Sequence, residues 1–453
     1  MPPFLRRITF LTSFVIVAVV ASTPRAAAQD VRQITFEEAV QIALQQNVNL
    51  RQSENLVDLD ARRVFQRQMD FLPDLRFSTN GIRGSGFTQD QAGRNIAFTN
   101  STLSGTFSTS LNLFNGFADV ASLEQARHEY DASALTYDRN RQNVVFAVVD
   151  NYLAYISSQE RIRIQQENVE AQRQQLAQIE EFVNVGARPI SDLYQQQAAV
   201  AQAEFEVLNA QRQAELNKTR LIQVLHLDPF GSYEFEAPSV DETIQPRNQY
   251  ELESLLLAAY QMRPDIRAQE EQILAAREGI RIARSQYYPR VDLNAGYRSN
   301  FSPDAEGGLW DQIDANRGNN IGFSLSFPIF DRFTRGTNVQ QAEVVYRNER
   351  LELETLRQDV ALQVRQAYLD YLIAEKRVDV AETQLRAAQQ ALDAAEERYN
   401  VGAGTLVELS QARAQFVEAA SNRAQARVDL LFQSRLVDYH TGRLDPNQDL
   451  FSN

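Results

Sequence analysis

Side chains able to do chemistry are few and scattered in this chain. Its three histidines, His128, His226 and His440, lie far apart, there is no cysteine, and no glycine-rich motif is spaced to cradle a phosphate. No nucleophile and base, metal-ligand cluster or cofactor motif is legible, so no enzyme activity, cofactor or metal is expected. The lack of cysteine also rules out disulfides, thiolate metal sites and a lipidated cysteine at a processed N-terminus. What recurs is a turn: Asn184-Val185-Gly186-Ala187 returns as Asn400-Val401-Gly402-Ala403. Gly186 and Gly402 can take the positive φ that ends a helix. After the second turn, Thr405-Leu406-Val407-Glu408 has the spacing of a capping box, and Asp192, three residues after Pro189, also reads as a helix start.

The elements that hold these turns come from a duplication. Tyr152, Leu153 and Tyr155 recur as Tyr368, Leu369 and Tyr371, Pro73 as Pro289, Phe107 as Phe323, and Phe114 as Phe330, all at an offset of 216 residues. Each half should run helix, strand, strand, long helix, tight turn, helix. The expected organisation is a signal peptide over 1–28, a first repeat over 29–228, a linker over 229–248 with Asp228-Pro229-Phe230-Gly231 at its start, a second repeat over 249–440 and a tail over 441–453.

The long helices carry a seam of period seven. Val148, Tyr155, Ile162, Val169, Leu176 and Val183 mark it in the first half; Val364, Tyr371, Val378, Leu385, Leu392 and Tyr399 mark it in the second. Such a stripe faces one neighbour only if the helices supercoil to the left. The return helices carry Leu193, Val200, Val207, Ala214 and Leu221, then Leu409, Phe416, Leu430 and Val437, interrupted by Arg423. From Phe117 to Val183 the rod should reach about 100 Å at about 1.5 Å per residue. Much of its surface is Gln, Arg, Glu and Ala, as a wall wetted on both sides would be; a solid coiled-coil bundle has the same periodicity.

Between the helices lie segments of period two. Leu75, Phe77 and Thr79 alternate with polar residues, as do Leu103, Gly105, Phe107, Thr109, Leu111 and Leu113; Val291, Leu293, Ala295 and Tyr297, then Ile321, Phe323, Leu325, Phe327 and Ile329, repeat the pattern. This is the arrangement of a barrel wall with lipid outside and water inside, in which Leu75, Phe77, Phe107, Leu111, Leu113, Val291, Leu293, Phe323, Leu325 and Phe327 are the expected lipid-facing set. A soluble sheet packed on helices would alternate too. Loops are expected near 84–99 and 300–320. Four strands are too few to close a barrel, and an open edge in hydrocarbon leaves backbone groups unsatisfied at several kcal/mol each, so identical chains must share one. Two copies would fill the lumen with side chains; three would begin to leave a channel.

Export and charge agree with a cell-envelope location. Arg6 and Arg7 precede an apolar run from about Ile8 to Ala21, shorter than the ~20 residues a spanning helix needs, and Ala26-Ala27-Ala28 offers a cleavage site before Gln29. Losing Arg6, Arg7 and Arg25 takes the formal charge from −14 to −17, which argues against a nucleic-acid partner.

Ile34-Thr35-Phe36-Glu37-Glu38-Ala39, the two Asn-Val-Gly-Ala turns and the repeated strand pairs together resemble the TolC-like outer-membrane efflux proteins, over about Ile34 to Val437. The resemblance implies a mainly α protomer with a membrane β-barrel part: long coiled-coil helical hairpins plus four strands, trimerising into a 12-stranded barrel and an α-helical periplasmic tunnel. It implies a homotrimer in outer-membrane lipid, docked onto a periplasmic adaptor (membrane fusion protein) and an inner-membrane transporter. The docking tips would be Val185, Gly186, Ala187 and Leu193 with Val401, Gly402, Ala403 and Leu409. The tunnel aperture would be ringed by Asp192 and Glu408. The sequence departs from the family pattern at Gln411, where a second acidic ring is usual, and at Gly404, where a gating arginine is usual; Arg188 is the candidate substitute. The rival reading is a periplasmic coiled-coil adaptor or scaffold without its own barrel.

Overall fold

A computed structural model describes residues 32–89, 91, 93–237 and 249–444. The expected signal peptide, most of the linker, including Pro238 and Pro246, and the tail after 444 lie outside the described residues.

The first repeat opens with β1 (Arg32–Ile34) and α1 (Phe36–Gln46), whose N-cap Thr35 accepts a hydrogen bond from the Glu38 amide at 3.2 Å. α2 (Val48–Met69), β2 (Arg76–Gln89), β3 (Asn95–Phe114), α3 (Ala118–Asn184) and α4 (Ile190–Val224) follow. After β4 (Tyr233–Phe235), the second repeat runs α5 (Leu252–Met262), α6 (Pro264–Ser285), β5 (Arg290–Phe301), α7 (Leu309–Ala315), β6 (Gly318–Ser326), α8 (Thr334–Asn400) and α9 (Leu406–Thr441). α1, α2 and α3 superpose in numbering on α5, α6 and α8 at the 216-residue offset.

The first helix of each half is broken in two, a feature absent from the expected plan. Asn47 and Arg263, equivalent positions, take extended backbone at the breaks. Asn47 restarts its helix by accepting from the Leu50 amide at 3.0 Å, while Pro264 restarts the other, being tolerated in a first turn where no N–H is required.

α3 and α8 each have 67 residues, about 100 Å of helix. Their return helices α4 and α9 have only 35 and 36, so they cover the tip half; α2 and α6 cover the strand half. Of the expected seam, Val148, Tyr155, Val169, Val364, Tyr371, Val378, Leu392 and Tyr399 are buried, as a supercoiled stripe requires. The largest core sits midway along the rod. There the Tyr152 hydroxyl donates to the carbonyl of Glu236 at 2.7 Å, and its ring meets Phe36 edge-on at 5.3 Å. The parallel pairing of β1 with β4 closes this belt; three-residue strands give too little periodicity to be read from sequence.

The four long strands form one antiparallel sheet in the order β2-β3-β5-β6. Leu111, Leu293 and Phe323 share one row, Thr109, Ala295 and Ile321 another, and Phe77, Phe107 and Tyr297 a third. The opposite face carries Ser110, Asn294, Ser108, Asn320, Asn112, Asp292 and Ser324. Four expectations are corrected. The alternation of β3 does not run unbroken through Leu113: a bulge leaves Leu113 without a partner and gives Phe114 the place opposite Val291. The expected loop at 84–99 is mostly strand, because β2 and β3 stay paired out to Gln89 and Asn95. The other loop contains α7, where buried Gln312 donates to the carbonyls of Ser302 and Gly307 at 3.0 and 2.9 Å. Leu75 and Phe327, expected in strands, each lie one residue outside and are exposed.

Candidate functional site

Two ends of the rod carry the candidate sites. At the tip, α3 and α8 stop in the same way. Gly186 (φ 74°) and Gly402 (φ 78°) take the left-handed conformation. The Ala187 amide donates to Phe182 O at 2.7 Å and Gly186 to Val183 O at 3.0 Å; Ala403 and Gly402 make the equivalent bonds to Arg398 and Tyr399 at 2.8 and 3.0 Å. These are Schellman ends, which satisfy the last carbonyls and turn the chain within five residues.

The turn leaves Val185 and Val401 each 74% exposed, with Ala187 and Ala403 beside them. Ile190, Tyr194 and Val407 extend this apolar surface, and they lie off the inward seams that are the periodic signal of α4 and α9. Leu193 is half-buried, and Leu409, at 2% exposure, sits with Ile179, Leu392, Tyr399 and Leu406 in a core joining the hairpins. Leu409 therefore supports the tip from inside and presents no surface, which corrects its expected place among the docking residues.

The polar residues behind the tip make ties within one protomer. Thr405 accepts from the Glu408 amide at 3.2 Å, forming the first half of the expected capping box. The Glu408 carboxylate instead pairs with Arg398 at 3.2 Å, both side chains being about half exposed. Arg188 lays its guanidinium over the Tyr399 ring at 4.3 Å and donates to the Tyr399 carbonyl. Burial, with a smaller contribution from Asp192, raises the Tyr399 pKa against the opposing influence of Arg188. Asp192 is half-buried and Gln411 exposed.

At the other end the sheet exposes its apolar face. Ile321, Phe323 and Leu325 are over 70% exposed, Phe77 and Phe107 about half, and Leu111, Val291 and Leu293 are half-buried. From Val291 to Phe301, β5 spans about 34 Å along the strand, or roughly 24 Å of height at a tilt of about 45°, matching the apolar band of outer-membrane barrels. Beyond the pair Gly81 and Leu103 the alternation fails, with Ile82 opposite Thr102 and Arg83 opposite Ser101, so the distal hairpin clears the apolar layer. Where strands become long helices, exposed Phe117, Phe330, Phe333, Tyr287 and Tyr288 form an aromatic rim, the amphipathic zone of a membrane boundary. Among the described residues no helix is long and apolar enough to cross a membrane.

The family model described as outer membrane efflux protein matches residues 39–225 and 255–436. The Protein CyaE of Bordetella pertussis is 25% identical over 392 residues, 84% of this chain and 78% of its own. The outer membrane protein TolC of Escherichia coli is 25% identical over 420 residues, 90% of this chain and 81% of its own. The solved CmeC outer membrane channel of Campylobacter jejuni superposes with a TM-score of 0.76 at 17% identity, over 92% of this chain and 87% of that one. With a family match spanning most of its length, an exposed apolar sheet and a 100 Å helical rod, this chain belongs to the outer membrane efflux proteins, its sheet in the outer membrane and its helices in the periplasm.

Proposed function

We propose that three copies of the chain close a twelve-stranded barrel continuous with an α-helical tunnel. Through it substrate passes outward passively from a periplasmic adaptor and an energised inner-membrane pump, as in tripartite efflux or type I secretion. The observation that carries this reading is the four-stranded sheet with an exposed apolar face and two unpaired edges, β2 and β6, fused to rods that end in an apolar tip. Open edges are untenable in hydrocarbon, whereas three protomers pair every edge and leave a lumen lined by Ser, Asn and Asp.

The tip surface of Val185, Ala187, Val401 and Ala403 suits a helical hairpin of the adaptor, and Gly186 and Gly402 keep it low. Asp192, Glu408 and Gln411 then lie near the tunnel mouth. Arg188 on Tyr399 and Arg398 on Glu408 are ties that hold the hairpins in register while it is closed. Catalysis has no part in this reading: the chain conducts, and the pump supplies the work.

The test is reconstitution in a planar bilayer. A detergent-extracted, heat-modifiable trimer should give single channels, and Glu408→Lys should lower cation preference severalfold, since a ring of carboxylates at a constriction attracts cations. A monomer without conductance would overturn the duct; unchanged selectivity in the variant would leave Glu408 a helix cap and partner of Arg398 only. Crosslinked copurification of the pump would identify the cargo class.

A further inference from the structure

About 15 Å along α3 from its membrane end, three potential metal ligands meet across the boundary between the two repeats. His128 and Asp131, one turn apart on α3, face Glu271 on α6, and one ligand atom from each lies within 4.8 Å of the other two. The His128 Nδ1 and Glu271 Oε2 are 2.7 Å apart, although the residues are 143 positions apart in the chain. At that separation the three ligands form no spacing pattern along the chain.

We propose that His128, Asp131 and Glu271 form a binding site for a divalent transition metal of the zinc class. One imidazole and two carboxylates from two packed helices are a borderline donor set suited to Zn2+ or Co2+, and three protein ligands leave a position for water. A His and a carboxylate at i and i+3, completed by a carboxylate from a facing helix, also match how helical bundles build metal sites. The ligand atoms are close enough that small rotamer changes would bring them to the ~3.3 Å mutual spacing that metal–ligand bonds of about 2.0–2.1 Å require.

A plain ion pair between His128 and Glu271 explains less. Among the described residues neither Asp131 nor Glu271 pairs with an arginine or lysine, so the two carboxylates have one imidazole between them. His128 and Glu271 are also only about a quarter exposed, so an ion held between them would be partly screened from bulk water. At the 216-residue offset the equivalent positions are Val344, Arg347 and Asn55, which carry no such set. The cluster therefore belongs to the α3–α6 contact within a protomer and has no counterpart in the other half. A bound ion would staple the two repeats just below the membrane.

The experiment uses the full-length detergent-solubilised protein, stripped with chelator and titrated with Zn2+ and Co2+. One ion per chain is expected, with Co2+ giving d–d bands of low-coordinate imidazole and carboxylate ligation, and Zn2+ raising the melting temperature. His128→Ala and Glu271→Gln should weaken binding by at least about tenfold and remove that rise. Asp131→Asn, at an exposed position, keeps the test valid should a substitution at half-buried His128 or Glu271 unfold the protein. No bound ion, or equal affinity in the wild type and Asp131→Asn alike, would overturn the site.

Discussion

Glycines that look alike in the sequence do different work in space. Gly186 takes φ 74° in an open turn where an added Cβ would meet nothing, whereas Gly116 takes φ 69° where a Cβ would lie 2.6 Å from the Ser285 carbonyl and 2.8 Å from Tyr288. Gly186→Ala should therefore cost only the backbone conformation, about 1–2 kcal/mol, and Gly116→Ala clearly more, read as the fall in melting temperature of the solubilised protein. Arg332, the repeat mate of Gly116, holds φ 55°, so the backbone alone does not demand glycine there; the crowding does.

His440 offers a second test at this scale. Burial, and then Arg263 and Arg139, push its pKa down to about 4, so the folded protein resists protonating it. A folded pKa below the ordinary 6.5 means that stability is intact above about pH 6.5 and is lost as the pH falls toward 4, by about 1–3 kcal/mol. Asp265, held below its ordinary value by Arg263 and Arg139 although its burial acts the other way, adds its own loss only at lower pH. Buried Asp438, whose pKa is raised by burial, works in the opposite sense, so the comparison is with His440→Asn. That variant should show a flatter melting temperature between pH 7 and 4.5.

Among the elements, what could be read in the sequence was what repeats with a period. The seam of seven gave the long helices, alternation gave four strands, and the paired glycines gave the tips. Long-range features were illegible: the break at Arg263 is stabilised by Asp265 in the next turn, by Gln363 and by the carbonyl of His440, partners up to 177 residues away. The tie between Arg188 and Tyr399 was hidden for the same reason. The distal hairpin reads as loop in the sequence because its strands lose alternation outside the apolar layer, where no buried face enforces it.

The two faces of β6 make the membrane reading testable on neighbouring residues. Phe323 is 74% exposed in the row with Leu111 and Leu293, whereas Ser324 lies opposite Asp292 on the polar face. Phe323→Arg, paired with Leu293 toward the periplasmic side of the apolar layer, should cost on the order of 1–3 kcal/mol, less than a midplane site would, and deplete the protein from outer-membrane fractions. Ser324→Arg should insert normally, since its side chain meets water and the Asp292 carboxylate. Equal depletion by both would mean that the sheet does not separate lipid from lumen.

For the whole molecule, the unpaired edges decide the assembly. β2 and β6 each offer a row of backbone donors and acceptors that the protomer cannot satisfy, and the order β2-β3-β5-β6 puts them at opposite ends of the sheet. A closed ring then needs β2 of one copy against β6 of the next. The chain has no cysteine of its own, so an introduced pair reports on this contact alone. Thr79→Cys on β2, combined in turn with a cysteine at Ile321, Phe323 or Leu325 on β6, samples successive registers on one face. At least one pairing should yield covalent dimers and trimers in oxidised membranes, with trimers as the upper limit because a ring of three leaves no free edge. Bands that continue beyond the trimer would mean a larger ring or an open ladder. Crosslinks within a single copy would mean that the sheet curls on itself, and the tunnel would lose its physical basis, since four strands enclose no lumen.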